Sequence, residues 1–416
     1  MSLLLKRLYD KYLGKTAIPY KVVFTDGSIC SNTSENPSFT IRYSSKAAEV
    51  NSVLFHGWGL IESYINGGVE IYGDLKALIR AAADNEPPLA ETARQVYIPH
   101  PLIRIRNLWH EVLHGNRGSR RGVKNALAHY NRGSDIFWQY LDPTMTYTCA
   151  YWKEGTRNLQ VAQSNKLDHV CRKLRLSPGE RFVDVGGGWG SLLFHAVENY
   201  GVTGTNVSPT IDQNRWLMKK AGEKGLADRI FIQEKDFREM SGVYDKYASL
   251  GVYEHAGKRQ LKDWIRKMAG CLRPGGIGLL HFIARDRPME TDFFIRKHIF
   301  PGGYLPSLTE TVDLMAIHGL EILDIENLRR HYALTLDEWA RLFDQNWDMI
   351  HAHNPVLFGE RFRRTWRVYL HFCAEYFRVK NSVLRLYQVT FSKGNTTDYP
   401  MDRGFLYREA SGCPED

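Results

Sequence analysis

The sequence predicts an α/β fold, a mostly parallel sheet with helices on both faces, preceded by a smaller α+β domain. From residue 181 onward, short apolar runs alternate with stretches of helical periodicity, which is typical of such a sheet. The runs lie at residues 181–185, 202–207, 230–233, 246–251 and 277–282. The first run breaks into a glycine-rich turn and then a helical pattern, the order that opens a nucleotide-binding unit.

The length of 416 residues favours two domains. We predict a small α+β domain at residues 1–85, a linker at 86–116 and the larger α/β domain at 117–410. The linker is placed where the chain becomes polar and rich in proline, a composition that interrupts regular structure. We find no internal repeat.

Local patterns predict the remaining elements. Those of the first domain are a helix at 3–13, strands at 20–24 and 38–43, and a helix at 74–83. In the larger domain we expect helices at 134–141, 159–174, 261–272, 338–345 and 359–378, a turn at 273–276 and a last strand at 383–391. His56 and Glu62 are isolated polar residues of the first domain, and we expect them to be structural.

The chain is basic, with a net charge of +9 and a pI near 9.1. This charge favours an anionic partner, either nucleic acid or an anionic membrane surface, although a solvated basic face is the simpler alternative. Basic residues cluster at Arg117, Arg120, Arg121 and Lys124, and again at Arg361, Arg363, Arg364 and Arg367.

Six cysteines occur without a C-x-x-C pair, so we expect reduced thiols and neither a disulfide framework nor a metal site. No apolar run approaches the ~20 residues that a spanning helix needs, and residues 1–14 are too charged for a signal peptide. The sequence therefore predicts a cytoplasmic protein.

The turn after the first apolar run contains Gly186, Gly187, Gly188 and Gly190. Glycines allow the backbone to approach a ligand closely. Their spacing differs from the dinucleotide fingerprint, because Ser191 stands where the third glycine belongs. The turn suits a cofactor with an adenosine and a methionine-like tail but no pyrophosphate. The alternative is a tight connection without a ligand.

Ligands of open parallel sheets bind at the carboxyl ends of the strands. Two such ends carry Glu254 and His281, which we expect to converge on one pocket. Taken singly, each residue has a structural alternative. Glu254 would be a carboxylate at the start of a helix, and His281 would be a buried histidine with its hydrogen bonds satisfied. Asp236 and Phe237 end another strand and suit the edge and face of an adenine.

Several motifs together resemble those of the cyclopropane fatty acid synthases and the related mycolic acid cyclopropane synthases. They are HYNRGSDIF, LDPTMTYTCAYW, VDVGGGWG, LGVYEHAG, LLHFIAR, FPGGYLPS and ENLRRHYALTLDEW, and they occur in the family's order along nearly the whole chain. The GLIESYINGG segment resembles the family's small lipid-binding domain. The resemblance implies a small lipid-binding domain followed along the chain by a Rossmann-like S-adenosylmethionine-dependent methyltransferase domain.

The resemblance also implies site residues. A bicarbonate ion would be held by the side chains of Glu254, His281 and Tyr332 and by backbone groups of Cys149 and Ile283. The implied residues for S-adenosylmethionine are Tyr130, Asp184, Gly186, Gly188, Gly190, Asn206, Gln213, Asp236 and Phe237. The chain departs from the family where Gly187 replaces the usual cysteine and Asn206 a threonine. The spacing from Ser208 to Gln213 also differs from the usual one, and residues 68–70 lack the tryptophans that are common after the N-terminal glycine.

The implied reaction adds the sulfonium methyl carbon to an acyl double bond, which leaves a carbocation, and closes a cyclopropane ring when a base removes a proton. The substrate would be a phospholipid with an unsaturated chain, met at an anionic membrane surface by a peripheral enzyme, with a homodimer as one expected assembly. A C-methyltransferase that does not close the ring remains an alternative. An RNA methyltransferase would need a base-stacking module, and we find none. A lipid-transfer protein would leave the glycine turn unexplained.

Overall fold

The computed structural model describes residues 2–84, 101–116, 121–122, 124–125 and 134–407. The chain forms two compact units. The first contains residues 1–113, 292–299 and 332–384, and the second contains residues 114–291, 300–331 and 385–416. Within the described ranges, no helix is long and apolar enough to cross a membrane.

The first unit is built on a four-stranded sheet. Its strands are β1 (Tyr20–Val23), β2 (Ile29–Ser31), β3 (Phe39–Tyr43) and β4 (Val69–Gly73). They lie in the order β2-β1-β3-β4, and β1 is parallel to β3 whereas the other pairs are antiparallel. Alternate residues of β1 and β3 point into the core, where Val22, Phe39 and Ile41 are fully buried.

Helices pack around this sheet, and they confirm the predicted helices at 3–13 and 74–83. Those in the first part of the chain are Ser2–Leu13, Lys46–Phe55, Gly57–Ile65, Leu75–Ala83 and Pro101–His114. The later ones are most of Arg329–Gln345, then Trp347–His353 and Glu360–Arg378. Side chains of Ser45 and Asp74 cap two of the starts by accepting hydrogen bonds from Ala48 N and Lys76 N.

Both units are discontinuous in sequence, because segments 292–299 and 332–384 join the N-terminal residues. Glu62 shows how: its carboxylate accepts hydrogen bonds from Lys297 Nζ at 2.8 Å and His298 Nε2 at 2.6 Å. Burial acts to raise the pKa of Glu62, but these two partners outweigh it and lower the pKa to about 2. This ion-paired side chain has a structural role, as expected. Residues 101–114 of the predicted linker are helical.

The second unit contains a seven-stranded sheet. Its strands are β5 (Arg181–Val185), β6 (Thr203–Val207), β7 (Ile230–Gln233), β8 (Tyr244–Leu250), β9 (Leu272–Arg285), β10 (Leu320–Asn327) and β11 (Leu384–Lys393). Their order is β10-β11-β9-β8-β5-β6-β7. The pairs from β9 through β8, β5 and β6 to β7 are parallel, and β10 and β11 are antiparallel. The predicted fold class is confirmed.

Both faces of this sheet are covered. Phe182 packs in one apolar cluster and its neighbour Val183 in another, as do Leu279 and Leu280, because successive residues of a strand point to opposite faces. The helices of this unit are Ser134–Phe137, Leu159–Lys173, Ser191–Tyr200, Ile211–Glu223, Leu261–Cys271 and Leu308–Ile317.

Three sequence predictions differ from the structure. The helix predicted at 134–141 ends at Phe137, and the one predicted at 338–345 begins earlier, at Arg329. The predicted turn at 273–276 is a bulge within a strand: Tyr244 pairs with Leu272 but Lys246 with Ile277, so the residues between loop out of the ladder. Strand β10 was not predicted, since its polar and apolar residues do not alternate regularly.

A buried ion-pair network connects the helix Leu159–Lys173 to β10, the strand at one edge of the second unit's sheet. The Lys173 side chain is fully buried, with Nζ 2.6 Å from Glu326 Oε2 and 3.2 Å from Asp324 Oδ2. Glu326 Oε2 also lies 2.7 Å from His169 Nε2. A buried charge of this kind is tolerated only because its partners compensate it.

Replacing Lys173 should therefore be costly. We expect Lys173→Met to lower the free energy of unfolding by about 3–5 kcal/mol, because the buried carboxylate of Asp324 and the partly buried one of Glu326 lose their shared cation. Lys219→Met is the matched control, since Lys219 is 79% exposed and 3.9 Å from Glu223; an exposed pair contributes about 0–1 kcal/mol. Urea unfolding of both variants measures the difference, and equal midpoints would contradict the role given to Lys173.

Candidate active site

A pocket opens at the carboxyl ends of the parallel strands of the second unit. Its walls come from the turn after β5, the end of β6, the segment after β7 and the turn after β8. Lining residues include Thr146, Thr148, Lys166, Asp184, Gly186, Gly187, Gly188, Ser208, Gln213, Asp236, Phe237, Arg238, Gly251, Val252, His255 and Trp264. The pocket lies where ligands of such sheets bind.

The glycines of the turn serve different purposes. Gly186 and Gly190 have positive φ angles, and a Cβ on either would lie 2.4 Å from Val252 Cγ2 or 2.6 Å from Leu217 Cδ1. These two glycines are therefore required by the packing of neighbouring side chains. Gly188 also has a positive φ, but no atom lies within 4 Å of where its Cβ would be. Its missing side chain leaves open space at the pocket wall.

Two of the departures from the family pattern, Gly187 and Asn206, are structurally linked. A Cβ on Gly187 would lie 2.8 Å from Asn206 Oδ1 and 2.7 Å from Asp184 Oδ2. The Asn206 oxygen instead accepts the backbone N–H of Gly187 at 3.1 Å, and its amide nitrogen donates to Asn214 Oδ1 at 3.0 Å. The asparagine amide thus occupies the space next to this turn position, which explains why glycine accompanies it.

The predicted cofactor residues are distributed as follows. Those that line the pocket are Asp184, Gly186, Gly188, Gln213, Asp236 and Phe237. Asn206 and Gly190 support the turn from outside the lining, and Tyr130 lies outside the described residues. Phe237 packs on Trp264 with ring centroids 4.2 Å apart. The Asp236 carboxylate is already engaged by Arg238, whose Nη2 donates to Oδ2 at 2.8 Å.

Sequence reasoning missed Lys166, a buried lysine in the pocket wall. It projects from the helix Leu159–Lys173 and donates from Nζ to Thr148 Oγ1 at 3.0 Å. Burial lowers the pKa of Lys166 to about 8 and raises that of Asp184 to about 7. A lysine within a helical pattern gives no sign of burial, so only the fold could identify it.

Glu254 lies on the short helical turn Tyr253–Ala256, directly after β8. Its Oε1 accepts the backbone N–H of Ile283, on β9, at 2.6 Å. Its Oε2 is buried and has no hydrogen-bond partner among the described residues. Burial raises the pKa of Glu254 to about 7. This carboxyl group can therefore carry a proton near neutral pH.

His281 lies on β9 opposite Leu250 of β8, two residues before Ile283 and on the same face of the strand. Its ring is buried, and Nδ1 is 3.2 Å from Gln388 Nε2. Burial, assisted by the charges of Lys166 and Lys173, lowers the pKa of His281 to about 3, so the ring is neutral. Neither His281 nor Glu254 lines the pocket, although Gly251, Val252 and His255 beside Glu254 do.

The other predicted anion ligands are divided between the units. Cys149 is buried in the second unit, next in sequence to the pocket residue Thr148. Tyr332 belongs to the first unit, where its ring packs on Phe377 at 4.8 Å and Trp339 at 6.0 Å. Binding of an anion by these residues stays a prediction. Among the described residues, no group of His, Cys, Asp and Glu side chains could hold a metal ion.

Comparison with known proteins decides the family. Residues 118–389 match the family described as mycolic acid cyclopropane synthetase. The chain belongs to this family. It is 33% identical over 340 residues to the cyclopropane-fatty-acyl-phospholipid synthase of Escherichia coli K12, covering 81% of this chain and 83% of that protein. The predicted resemblance is confirmed.

One further relative and one solved structure are also informative. The tuberculostearic acid methyltransferase UfaA1 of Mycobacterium tuberculosis is 29% identical over 399 residues, covering 92% of this chain and 90% of the relative. The solved structure of the mycolic acid cyclopropane synthase CmaA1 complexed with SAH and CTAB is 30% identical. It superposes with a TM-score of 0.60 over 65% of this chain and 98% of its own. The chain is an S-adenosylmethionine-dependent methyltransferase by fold and family.

Gly188 offers a direct test of the pocket. We expect Gly188→Val to weaken S-adenosylmethionine binding about 100-fold or more, equivalent to about 2.8 kcal/mol, because the branched side chain fills open space. Gly155→Val is the control: Gly155 has a similar φ of +75° and open space around it but does not line the pocket. Both variants carry the same backbone strain of about 1–2 kcal/mol. Calorimetric titration compares them, and wild-type affinity in folded Gly188→Val would place the cofactor elsewhere.

The raised pKa of Glu254 predicts a pH-dependent stability. Because folded Glu254 holds its proton more tightly than the unfolded chain does, it stabilises the fold at low pH, and this is lost as pH rises from 4.5 to about 7. The Glu254→Gln variant should not lose this stability in this pH range, because glutamine does not titrate. Relative to wild type, its free energy of unfolding should rise across that window by about 3 kcal/mol. Denaturation at pH 5, 6, 7 and 8 measures it; parallel curves would show that Glu254 titrates normally.

Proposed function

We propose that this protein transfers the methyl carbon of S-adenosylmethionine to the double bond of an unsaturated phospholipid acyl chain and closes a cyclopropane ring. The observation that carries the proposal is the similarity to the E. coli cyclopropane-fatty-acyl-phospholipid synthase over 81% of the chain. The glycine-walled pocket supports it independently. We propose in addition that residues 1–85 bind lipid and residues 117–410 carry the catalysis, joined by residues 86–116.

The pocket fits the cofactor in shape and chemistry. The space above Gly188 admits a ligand against the backbone, while Phe237 and Trp264 offer aromatic surface for an adenine. S-adenosylmethionine, when bound, supplies a strongly electrophilic sulfonium methyl group. Burial raises the pKa of Asp184 to about 7, so a protonated Asp184 would be a weaker nucleophile toward that methyl group than an ionised carboxylate.

The residues around Glu254 fit a small oxyanion. Glu254 Oε2 is a buried polar atom without a partner in the described part of the chain. A carboxyl group with a pKa of about 7 can donate its proton to an anion instead of repelling it, and neutral His281 can donate one N–H. Because Ile283 already gives its N–H to Glu254, the backbone group that Ile283 could offer a bicarbonate ion is its carbonyl oxygen, as an acceptor of the ion's O–H. Bicarbonate held there by Glu254, His281, Tyr332, Cys149 and Ile283 would supply the base.

A C-methyltransferase without ring closure is the second candidate. Similarity to a tuberculostearic acid methyltransferase over 92% of the chain favours it specifically. The two reactions share the cofactor and the methyl transfer and differ in the fate of the resulting cation. Ring closure requires that a proton leave the added methyl group, which a base near Glu254 and His281 would permit.

Methyl-labelled S-adenosylmethionine and mixed phospholipids test both candidates. We expect label in a cyclopropyl methylene, identified by NMR of the purified lipid; a label found only in a branched methyl group would favour the second candidate. Glu254→Gln should bind the cofactor normally but lose turnover by about 100-fold or more, as expected for a group acting on the reaction. Glu223→Gln, at an exposed helix end, is the control and should turn over normally.

We further propose that the protein docks on an anionic membrane surface, although one basic cluster is a poor candidate. Arg364 pairs with Glu70 at 2.8 Å and with Glu360, Arg367 pairs with Asp344 at 2.9 Å, and Arg363 packs over the Trp347 ring. These arginines stabilise the first unit, and their charges are largely compensated. Of the other cluster, Arg117 and Arg120 lie outside the described residues.

The helix Pro101–His114 is a better docking candidate. It carries an apolar stripe at helical spacing, with every member between 41% and 65% exposed: Ile105, Leu108, Trp109, Val112 and Leu113. An exposed stripe of this kind suits burial at the boundary between headgroups and acyl chains. The net charge of +9 favours anionic over zwitterionic lipid.

Vesicle sedimentation tests this docking. We expect the double variant Leu108→Gln/Trp109→Gln to bind anionic vesicles at least about tenfold more weakly, because burying each apolar side chain contributes about 1.5–3 kcal/mol. Ile317→Gln, at an equally exposed apolar site of the second unit, is the control. Wild-type binding should also weaken in high salt, where charges are screened. Undiminished binding by the double variant would exclude the stripe.

A further inference from the structure

Gln388 is a fully buried polar residue in direct contact with His281. It lies on β11, which neighbours β9 in the sheet, and pairs in register with Glu326 of β10. Its amide Nε2 is 3.2 Å from His281 Nδ1. Neither the sequence patterns nor the implied site residues include Gln388, because a glutamine in the last strand has no motif around it.

This contact selects one form of the histidine. A neutral imidazole carries its proton on one ring nitrogen, and the other nitrogen is an acceptor. With the amide oriented so that its nitrogen faces the ring, that nitrogen can only donate, so Nδ1 would be the acceptor and the proton would lie on Nε2. The opposite arrangement, with the amide turned over and its oxygen accepting from Nδ1–H, would leave Nε2 of the ring without a proton.

The surroundings keep the ring neutral, so that the choice of nitrogen matters. His281 is buried, and the nearby ammonium groups of Lys166 and Lys173 oppose a positive charge on it, while Glu326 favours one. The balance is against the imidazolium. A neutral histidine presents a hydrogen-bond donor at Nε2 only if its tautomer is fixed, as second partners do for histidines that bind metals.

We propose that Gln388 is a positioning residue that holds His281 as the neutral tautomer protonated on Nε2. His281 thereby offers an N–H donor to an oxyanion instead of a lone pair that would repel it. The inference rests on the proposed function, since it concerns the residue to which that function gives a role. Its first readout, the position of the ring proton, requires no turnover.

Ring nitrogen NMR of the full-length enzyme labelled with ¹⁵N-histidine measures the tautomer. We expect His281 to show an unprotonated Nδ1 and a protonated Nε2 at pH 7, with its signals assigned by their loss in His281→Asn. A wild-type spectrum with the proton on Nδ1 would overturn the proposal.

Two substitutions then test the cause. Gln388→Glu provides an acceptor of nearly the same shape, so the proton should move to Nδ1. Turnover of an unsaturated phospholipid should then fall by about 10–100-fold, with unchanged cofactor affinity and KM for lipid. Gln388→Met removes the donor without adding an acceptor, and should give a mixture of tautomers and a smaller loss. Unchanged ring signals in both variants, or changed signals with wild-type turnover, would each overturn the proposal.

Thr390→Val is the matched control. Thr390 is equally buried, lies two residues further along the same strand and on the same face, and has no contact with the His281 ring among those observed. Its replacement should leave both the ring signals and turnover unchanged, and a loss as large as that of Gln388→Glu would show a general strand effect, contradicting the proposal. If wild-type enzyme gives no lipid product, the proposed function fails, while the NMR result still decides the tautomer.

Discussion

The candidate site depends on the parallel pairing of β8 and β9. Leu250 lies opposite His281, and the next residue, Gly251, donates its N–H to the His281 carbonyl at 2.8 Å. This register places the turn that follows β8 beside the end of β9, so that Glu254 can accept the N–H of Ile283. A shift of one residue would turn His281 to the other face of the sheet. Both residues therefore owe their positions to this ladder.

Burial gives the ionisable groups of the second unit unusual protonation states. It raises the pKa values of Glu254 and Asp184 to about 7 and lowers those of Lys166 to about 8 and His281 to about 3, so that near neutral pH the histidine is neutral and the two carboxyl groups can hold a proton. For each of these groups the fold weakens the preference for the charged form that the same side chain would have in water. By contrast, Lys173 lies among acidic partners on the edge strand β10, where its charge has a structural role.

The glycine turn shows how packing limits sequence choice. Gly186 and Gly190 are required by Val252 and Leu217, neither of which is near them in sequence. Gly187 is required by the side-chain oxygens of Asp184 and Asn206, which fill the adjacent space. Of the four turn glycines, only Gly188 has open space where a side chain would be. A single motif therefore combines three packing constraints with one open position at the pocket wall.

The sequence alone determined the α/β class, most strands of the second unit and the turn at 186–190, because periodicity and glycine spacing are local properties. The sequence also indicated Glu254 and His281 as candidate site residues, because both follow or end predicted strands. Only the tertiary structure decided that residues 292–299 and 332–384 join the first unit, and that Lys166 and Gln388 lie beside the predicted site residues. These facts depend on burial and on contacts between distant segments, which no local pattern records, and burial in turn sets the protonation states on which the chemistry depends.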